Sequence, residues 1–257
     1  MLTLAPASTA WAADRLDRFR QLAAERLAVP DGAGADEARR ELWAIVDAEV
    51  LENLGAGGPF ASLSFIRDRL EQFSDAWGGT SLRMSRAGEL LVGAFEIPGP
   101  PAQGTVRVYR ATGAPPDVLL TLERAGRPTL RALPPTPGGA QFFVVWEGPA
   151  TARGSQTLSV DLVRQDRDAT GVAWSTTGPA GEPLRATGWS VSGVQLRVRT
   201  ELTYPGWAPG CARQTEQEDV YRVAPPPATV VRAPPRLHDA WHRDARAAAA
   251  RLFEALG

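Results

Sequence analysis

His238 and His242 are the only two histidines in this 257-residue chain, and they stand four residues apart. On a helix that spacing would put both imidazoles on one face, an arrangement that can hold a divalent metal, with Asp239 beside them. Asp is one methylene shorter than the glutamate such sites use as general base, and no third histidine exists to complete a ligand set. Asp244 and Glu254 would be the acids further along the same helix. The pair therefore reads as two polar residues flanking a packed helix, and neither a metal nor a cofactor is expected.

Carboxylates offer a second chemistry. Glu216 and Glu218 are two apart in an extended-looking run, which on a strand puts them on one face roughly 7 Å from each other. Asp219 adjoins them, and Glu201 lies on the preceding run. Two carboxylates beside aromatic rings could carry glycoside hydrolysis, and Trp189, Tyr204, Trp207 and Tyr221 could supply the rings. Arg197 and Arg199 sit on the polar face of the preceding run, so cross-strand Arg–Glu pairs would use the same carboxylates. No residue is assigned a catalytic role. Trp189, Tyr204, Trp207, Glu216, Glu218 and Tyr221 are the expected ligand-contacting set.

Other chemistries are excluded more directly. Gly188-Trp-Ser190-Val-Ser192-Gly193 is one residue too long for a nucleophile elbow, and its surroundings read as strand and hairpin. Gly55-Ala-Gly57-Gly58 follows a helix and lacks the third glycine of a dinucleotide loop. All 28 basic residues are Arg, so there is no phosphate-loop lysine and no Schiff base. The absence of Lys, with a single Asn at Asn53, points to a GC-rich bacterial genome. Cys211 is the only cysteine, which rules out an intrachain disulfide and a thiolate metal cluster. Its setting, Pro205-Gly-Trp-Ala-Pro-Gly-Cys211, reads as a loop.

Net charge is −1, and arginines never form a run of four, so no field draws the chain to nucleic acid. No stretch approaches the ~18 apolar residues of a membrane span. The N-terminal segment does suggest export. Ala10-Trp11-Ala12 places small residues at the −3 and −1 positions of a signal cleavage site, although a basic n-region is missing and the apolar stretch is short. The expected compartment is the periplasm or the exterior, with residues 1–12 as a signal-peptide remnant.

The elements that would position these residues follow from periodicity. Leu16, Phe19, Ala23 and Leu27 recur at helical spacing from Asp14, and Pro30 stops the run. A second helix from about Asp36 carries Leu42, Val46 and Val50 on one face, with Trp43 and Leu54 beside it. A third carries Ile66, Leu70, Phe73 and Trp77, capped by Ser62 or Ser64 and ended by Gly78-Gly79. From Ser81 to about Val223 alternation dominates. Residues 89–97 are nearly all apolar, as a strand buried on both faces would be. Eight further runs follow: 105–110, 118–123, 141–146, 157–164, 172–175, 185–191, 194–202 and 215–223. No helical run interrupts them, which favours antiparallel pairing. After Pro225-Pro-Pro227 and Pro234-Pro235, a last helix over 236–256 shows the stripe Leu237, Trp241, Ala245, Ala248, Leu252 and Ala255.

The expected fold is α+β: N-terminal helices, then a large antiparallel β-meander forming a barrel, half-barrel or sandwich, closed by the C-terminal helix. Residues 13–257 form one expected domain, with a helical layer over 13–79, a sheet over 80–224, a Pro-rich crossover over 225–235 and the closing helix over 236–256. The expected function is that of an exported, non-enzymatic protein binding an apolar or amphipathic small molecule between sheet and closing helix. Two alternatives stay open. One is a hydrolase of sugar or ester bonds using Glu216 and Glu218, or His238 and His242. The other is a structural or partner-binding domain that presents its 204–211 loop to another protein.

Overall fold

Helical periodicity in the first eighty residues produces α1 (Ala7–Leu22), α2 (Ala35–Ala56), a 3-10 turn at Gly58–Ala61 and α3 (Leu63–Ala76). The structure, a computed structural model, describes residues 7–24, 34–97, 103–112, 115–152, 154–167, 169–177, 182–202 and 215–256, with the side chains of 7–13 and 241–243 excepted. α1 starts seven residues earlier than expected because the alanine-rich stretch before Asp14 itself favours helix. The candidate cleavage sequence Ala10-Trp11-Ala12 thus lies within α1. Ser62 caps α3 as expected, accepting a hydrogen bond from the Phe65 amide at 3.3 Å.

Most of the apolar positions expected on α2 and α3 are buried, while Leu16 of α1 and Trp77 just after α3 are half-buried. Leu42, Val46 and Val50 of α2 and Ile66, Leu70 and Phe73 of α3 are enclosed, with Phe19 of α1. Phe19 meets Phe73 edge to face, ring centroids 5.2 Å apart. One carboxylate ties the three helices together. Glu49 of α2 is only 2% exposed. Its Oε2 accepts from Arg15 Nη1 of α1 at 2.9 Å and its Oε1 from Arg69 Nε of α3 at 2.8 Å. Both oxygens being paired is what makes a buried charge tolerable there.

The first antiparallel sheet runs in chain order: β1 (Ser81–Ala87), β2 (Leu90–Ile97), β3 (Gln103–Arg110) and β4 (Asp117–Ala125). β2 is the nearly all-apolar run, and it occupies an interior position between β1 and β3, as its composition demands. Leu82, Met84, Leu91, Phe95, Ile97 and Tyr109 share one core with the helices. A further strand, β5 (Arg127–Ala132), passes close to β3 at Gly104. A side-chain carbon there would lie 2.4 Å from the Gly126 carbonyl oxygen and 2.7 Å from Pro128 Cδ, so only glycine permits the approach.

The second antiparallel sheet contains β5 with β6 (Gln141–Ala150), β7 (Gln156–Asp166), β8 (Ala169–Ser175), β9 (Leu184–Ser192), β10 (Gln195–Glu201), β11 (Glu216–Val223), β12 (Val230–Arg232) and β13 (Arg236–His238). Its order is β12-β11-β10-β9-β7-β6-β5, with β8 on β7 and β13 on β11. The two ends of that order do not meet, so it is not a closed barrel. Two compact units make up the chain, Met1–Trp146 with Arg164–Gly171, and Glu147–Val163 with Val172–Gly257.

The C-terminal expectation needs correction. Arg236–His238 is strand, paired to β11 with His238 opposite Glu216, and the helix α4 spans Trp241–Leu256. Pro234-Pro235 keep the chain extended, β11 offers an edge to pair with, and Asp239 then turns at φ 52. His238 and His242 therefore do not share a helix. Nor does α4 close the sheet: every side chain from Asp244 to Leu256 is exposed, with Leu252 58%, Phe253 73% and Leu256 76% accessible. A 3.6-residue period gives a helix an apolar face but does not supply the surface to cover it. Leu252→Ala should accordingly shift stability by no more than about 0.5 kcal/mol in a denaturant titration of the full chain.

Candidate functional site

β10 and β11 bring the expected carboxylates together, and the pleat decides what they face. Arg199 stands opposite Glu218, and Glu201 opposite Glu216. Arg199 Nε lies 3.3 Å from Glu218 Oε2, and its Nη1 3.8 Å from Glu216 Oε2. Thr187 Oγ1 donates to Glu216 Oε1 at 2.7 Å. His238 comes to the same group from β13, its Nε2 3.7 Å from Glu218 Oε2. That nitrogen is buried and has no hydrogen-bond partner.

Trp189 and Tyr221, the two described aromatic residues of the expected set, lie on the opposite face. Trp189 pairs in register with Val198, Val198 with Asp219, and Leu196 with Tyr221, so Trp189 and Tyr221 share the face of Asp219 and not that of Glu216 and Glu218. Trp189 Nε1 donates to Glu147 Oε1 at 2.8 Å, which also accepts from Gln156 Nε2 at 2.9 Å. Tyr221 packs against Trp174 with centroids 5.2 Å apart. Arg232 lies over the Tyr221 ring at 5.9 Å and donates to Asp219 Oδ1 at 2.6 Å. Burial pushes the Tyr221 hydroxyl up, Asp219 adds to the rise, and Arg232 opposes it. Tyr204, Trp207 and Cys211 lie outside the described residues, as does the side chain of His242. Ser190 and Ser192 sit on β9, in strand. Among the described residues, no three His, Cys, Asp or Glu side chains converge to hold a metal.

A second polar cluster, absent from the sequence reading, joins α2 to β3. Thr105, Arg107 and Tyr109 alternate on the helix-facing side of β3. Asp47 of α2 accepts from Arg107 Nη1 at 2.8 Å through Oδ2, and from the Tyr109 hydroxyl at 2.7 Å through Oδ1. Arg107 also reaches Glu123 Oε1 at 3.2 Å and lies 6.0 Å from the ring centre of Trp43, one helical turn before Asp47. Burial pushes the Asp47 carboxyl up; the Tyr109 hydrogen bond and the Arg107 charge pull it down, and Glu123 raises it further. The Tyr109 hydroxyl is held well above its ordinary range by burial, then by the Asp47 charge and hydrogen bond. The signal that could have revealed this cluster is an arginine among apolar residues in Thr105-Val-Arg107-Val-Tyr109.

An open groove of about 660 Å³ lies along β1. It is lined by Arg67, Glu71, Ser74 and Asp75 of α3, by residues 80–85, and by Ala94 and residues 128–130. β1 is the first strand of its sheet and, among the described residues, has no strand on its outer side. Which of its backbone groups face outward follows from the hairpin. Ala87 and Leu90 close a two-residue loop, Gly88-Glu89, with Gly88 at φ 60. Counting back from that closing pair, Ser85 and Arg83 bond to β2, while Leu82 and Met84 turn their amides and carbonyls away from it. The Met84 carbonyl confirms the direction by accepting from Arg67 Nε at 2.8 Å. At the head of the groove, Thr80 is buried and its hydroxyl has no partner.

No protein-family model matches this chain, and its sequence has no significant match among curated proteins.

Proposed function

We propose that the chain is an exported, non-enzymatic binding protein whose ligand lies in the groove between α3, β1 and β5. One observation carries the reading. A groove of about 660 Å³, a size suited to ligand capture, runs along a strand edge whose backbone donors and acceptors turn into it. Its walls combine charged groups on α3 with apolar surface at Ala94, Pro128 and Leu130. A site between the sheet and the C-terminal helix has less support, because the described side chains of α4 are exposed. The four described residues of the expected ligand-contacting set, Trp189, Glu216, Glu218 and Tyr221, do not converge on one face and give less support for a site among them. The two aromatics are engaged by Glu147 and Trp174, and the carboxylates by Arg199 and Thr187. Export rests on Ala10-Trp11-Ala12.

The hydrolase alternative keeps one favourable observation, the unpartnered His238 Nε2 near Glu218. A single titration separates the two readings. Backbone amides of the full chain would be followed by NMR while short peptides, simple sugars, short-chain esters and aromatic acids are added at millimolar concentration. Shifts gathered on residues 80–85 and 128–130 are the expected result. Shifts gathered instead on Glu216, Glu218 and His238, or no shifts with any probe, would overturn the groove reading.

A further inference from the structure

We infer that the ligand of this groove is an extended polypeptide segment that joins the first sheet as a fifth strand along β1, with apolar side chains toward β5 and polar or basic ones toward α3. The inference rests on the groove being the binding site, and it names what the groove takes. Leu82 and Met84 present an amide and a carbonyl each, two residues apart, in the plane of the sheet. Only another strand meets such a row in register, because its own outward groups repeat with the same period. The lining from Thr80 to Ser85 extends roughly 20 Å at about 3.3 Å per residue, enough for a segment of five or six residues.

The walls specify the segment's pattern. A strand added to β1 continues the pleat, so its side chains point alternately to the two faces of the sheet. One face carries α3, whose groove-lining residues Glu71, Ser74 and Asp75 suit polar and basic side chains. The other carries Ala94, Pro128 and Leu130, which suit apolar ones. Arg67 holds the Met84 carbonyl in the meantime. Arginine at an edge is a common guard against unwanted strand pairing, and that role alone would account for this contact. It does not account for the groove beyond it or for the buried Thr80 hydroxyl left without a partner. A guard that is an exposed side chain is also one a peptide can displace.

The test uses a fluorescent hexapeptide, Arg-Val-Arg-Val-Thr-Val, with the full chain, read by anisotropy and by amide hydrogen exchange. Binding should slow exchange at Leu82 and Met84 at least tenfold. N-methylation of one alternate set of peptide nitrogens should weaken binding at least tenfold, while methylation of the other set changes it less than threefold, since only one set faces β1. Arg67→Ala should tighten binding severalfold by releasing the Met84 carbonyl. Equal binding of a peptide with the same residues in blocked order, equal loss from both methylated sets, or unchanged exchange at Leu82 and Met84 would overturn strand addition. Failure of every alternating peptide would overturn it too. In that case, groove shifts caused by the non-peptide probes above would still leave the binding site itself standing.

Discussion

Phe73→Ala should cost roughly 3–5 kcal/mol, the usual range for deleting a fully enclosed aromatic ring. Phe73 has no exposed surface, and it is the contact through which α3 meets Phe19 of α1. Collapse would not readily fill the space, because Phe73 belongs with Leu22, Ile66 and Leu70 to a buried core built from three helices. A loss of that size is a large fraction of a domain's typical stability. It should appear as a lower denaturation midpoint with an unchanged slope. A cost under about 1 kcal/mol would mean that the helical layer is far more plastic than its packing implies. Because α3 forms one wall of the groove, Phe73→Leu, which keeps most of the volume, is the variant in which to ask whether loosening α3 also weakens ligand binding.

The contrast between Phe73 and Leu252 shows where sequence reading succeeds and where it stops. Both residues lie on apolar stripes of helical period, and both stripes were legible. Periodicity identifies a face; it carries no information about what opposes that face. For α2 and α3 the opposing surfaces lie in the neighbouring helices and in the first sheet. For α4 the same pattern belongs to a helix whose described side chains face solvent. The start of α4 was misplaced for a related reason. Leu237 and Trp241 fit a stripe, yet two prolines just before them and pairing to β11 favoured strand through His238.

Strand reading was reliable where alternation was long and apolar. All nine expected runs are strands, and β2 lies inside its sheet as its composition required. Four strands were not foreseen. β5 contains Pro128, which normally argues against a strand interior, and β12 and β13 are three residues each, too short to alternate. β1 alternates Leu82 and Met84 with Arg83 and Ser85, a weak signal beside the apolar β2. The boundaries between the two compact units fall inside β6, β7 and β8, where no linker composition could mark them. The expected site fared similarly. The pairing of Arg199 with Glu218 follows from the polar face of two neighbouring strands. That Trp189 and Tyr221 lie on the other face is a matter of register, which one-dimensional proximity does not reveal. The groove depends on β1 and β5, and so was invisible.

Asp47→Ala should cost roughly 2–4 kcal/mol at neutral pH, because it leaves a buried guanidinium without its closest counter-ion and the Tyr109 hydroxyl without its acceptor. Glu123 remains within reach of Arg107 Nη2, but it is more than half exposed and so compensates only in part. The loss should be recoverable by removing the other half of the network. Asp47→Leu with Arg107→Met and Tyr109→Phe replaces charges and hydroxyl with apolar groups of similar size, and should stand within about 1 kcal/mol of the wild type. If the triple variant is as damaged as Asp47→Ala, the network is not the cause of the loss. The pH dependence supplies a second check. Burial raises the Asp47 carboxyl in the folded state above its unfolded value near 3.9. The folded state then binds the proton more tightly than the unfolded one. The carboxyl's contribution to stability is therefore full below the unfolded value and is lost as pH rises through the folded one. The stability difference between wild type and Asp47→Ala should thus be largest in acid and shrink toward neutrality, levelling off above the raised value. A difference that grew with pH across the same range would mean that attraction to Arg107 outweighs burial, and the carboxyl would have to lie below its ordinary range.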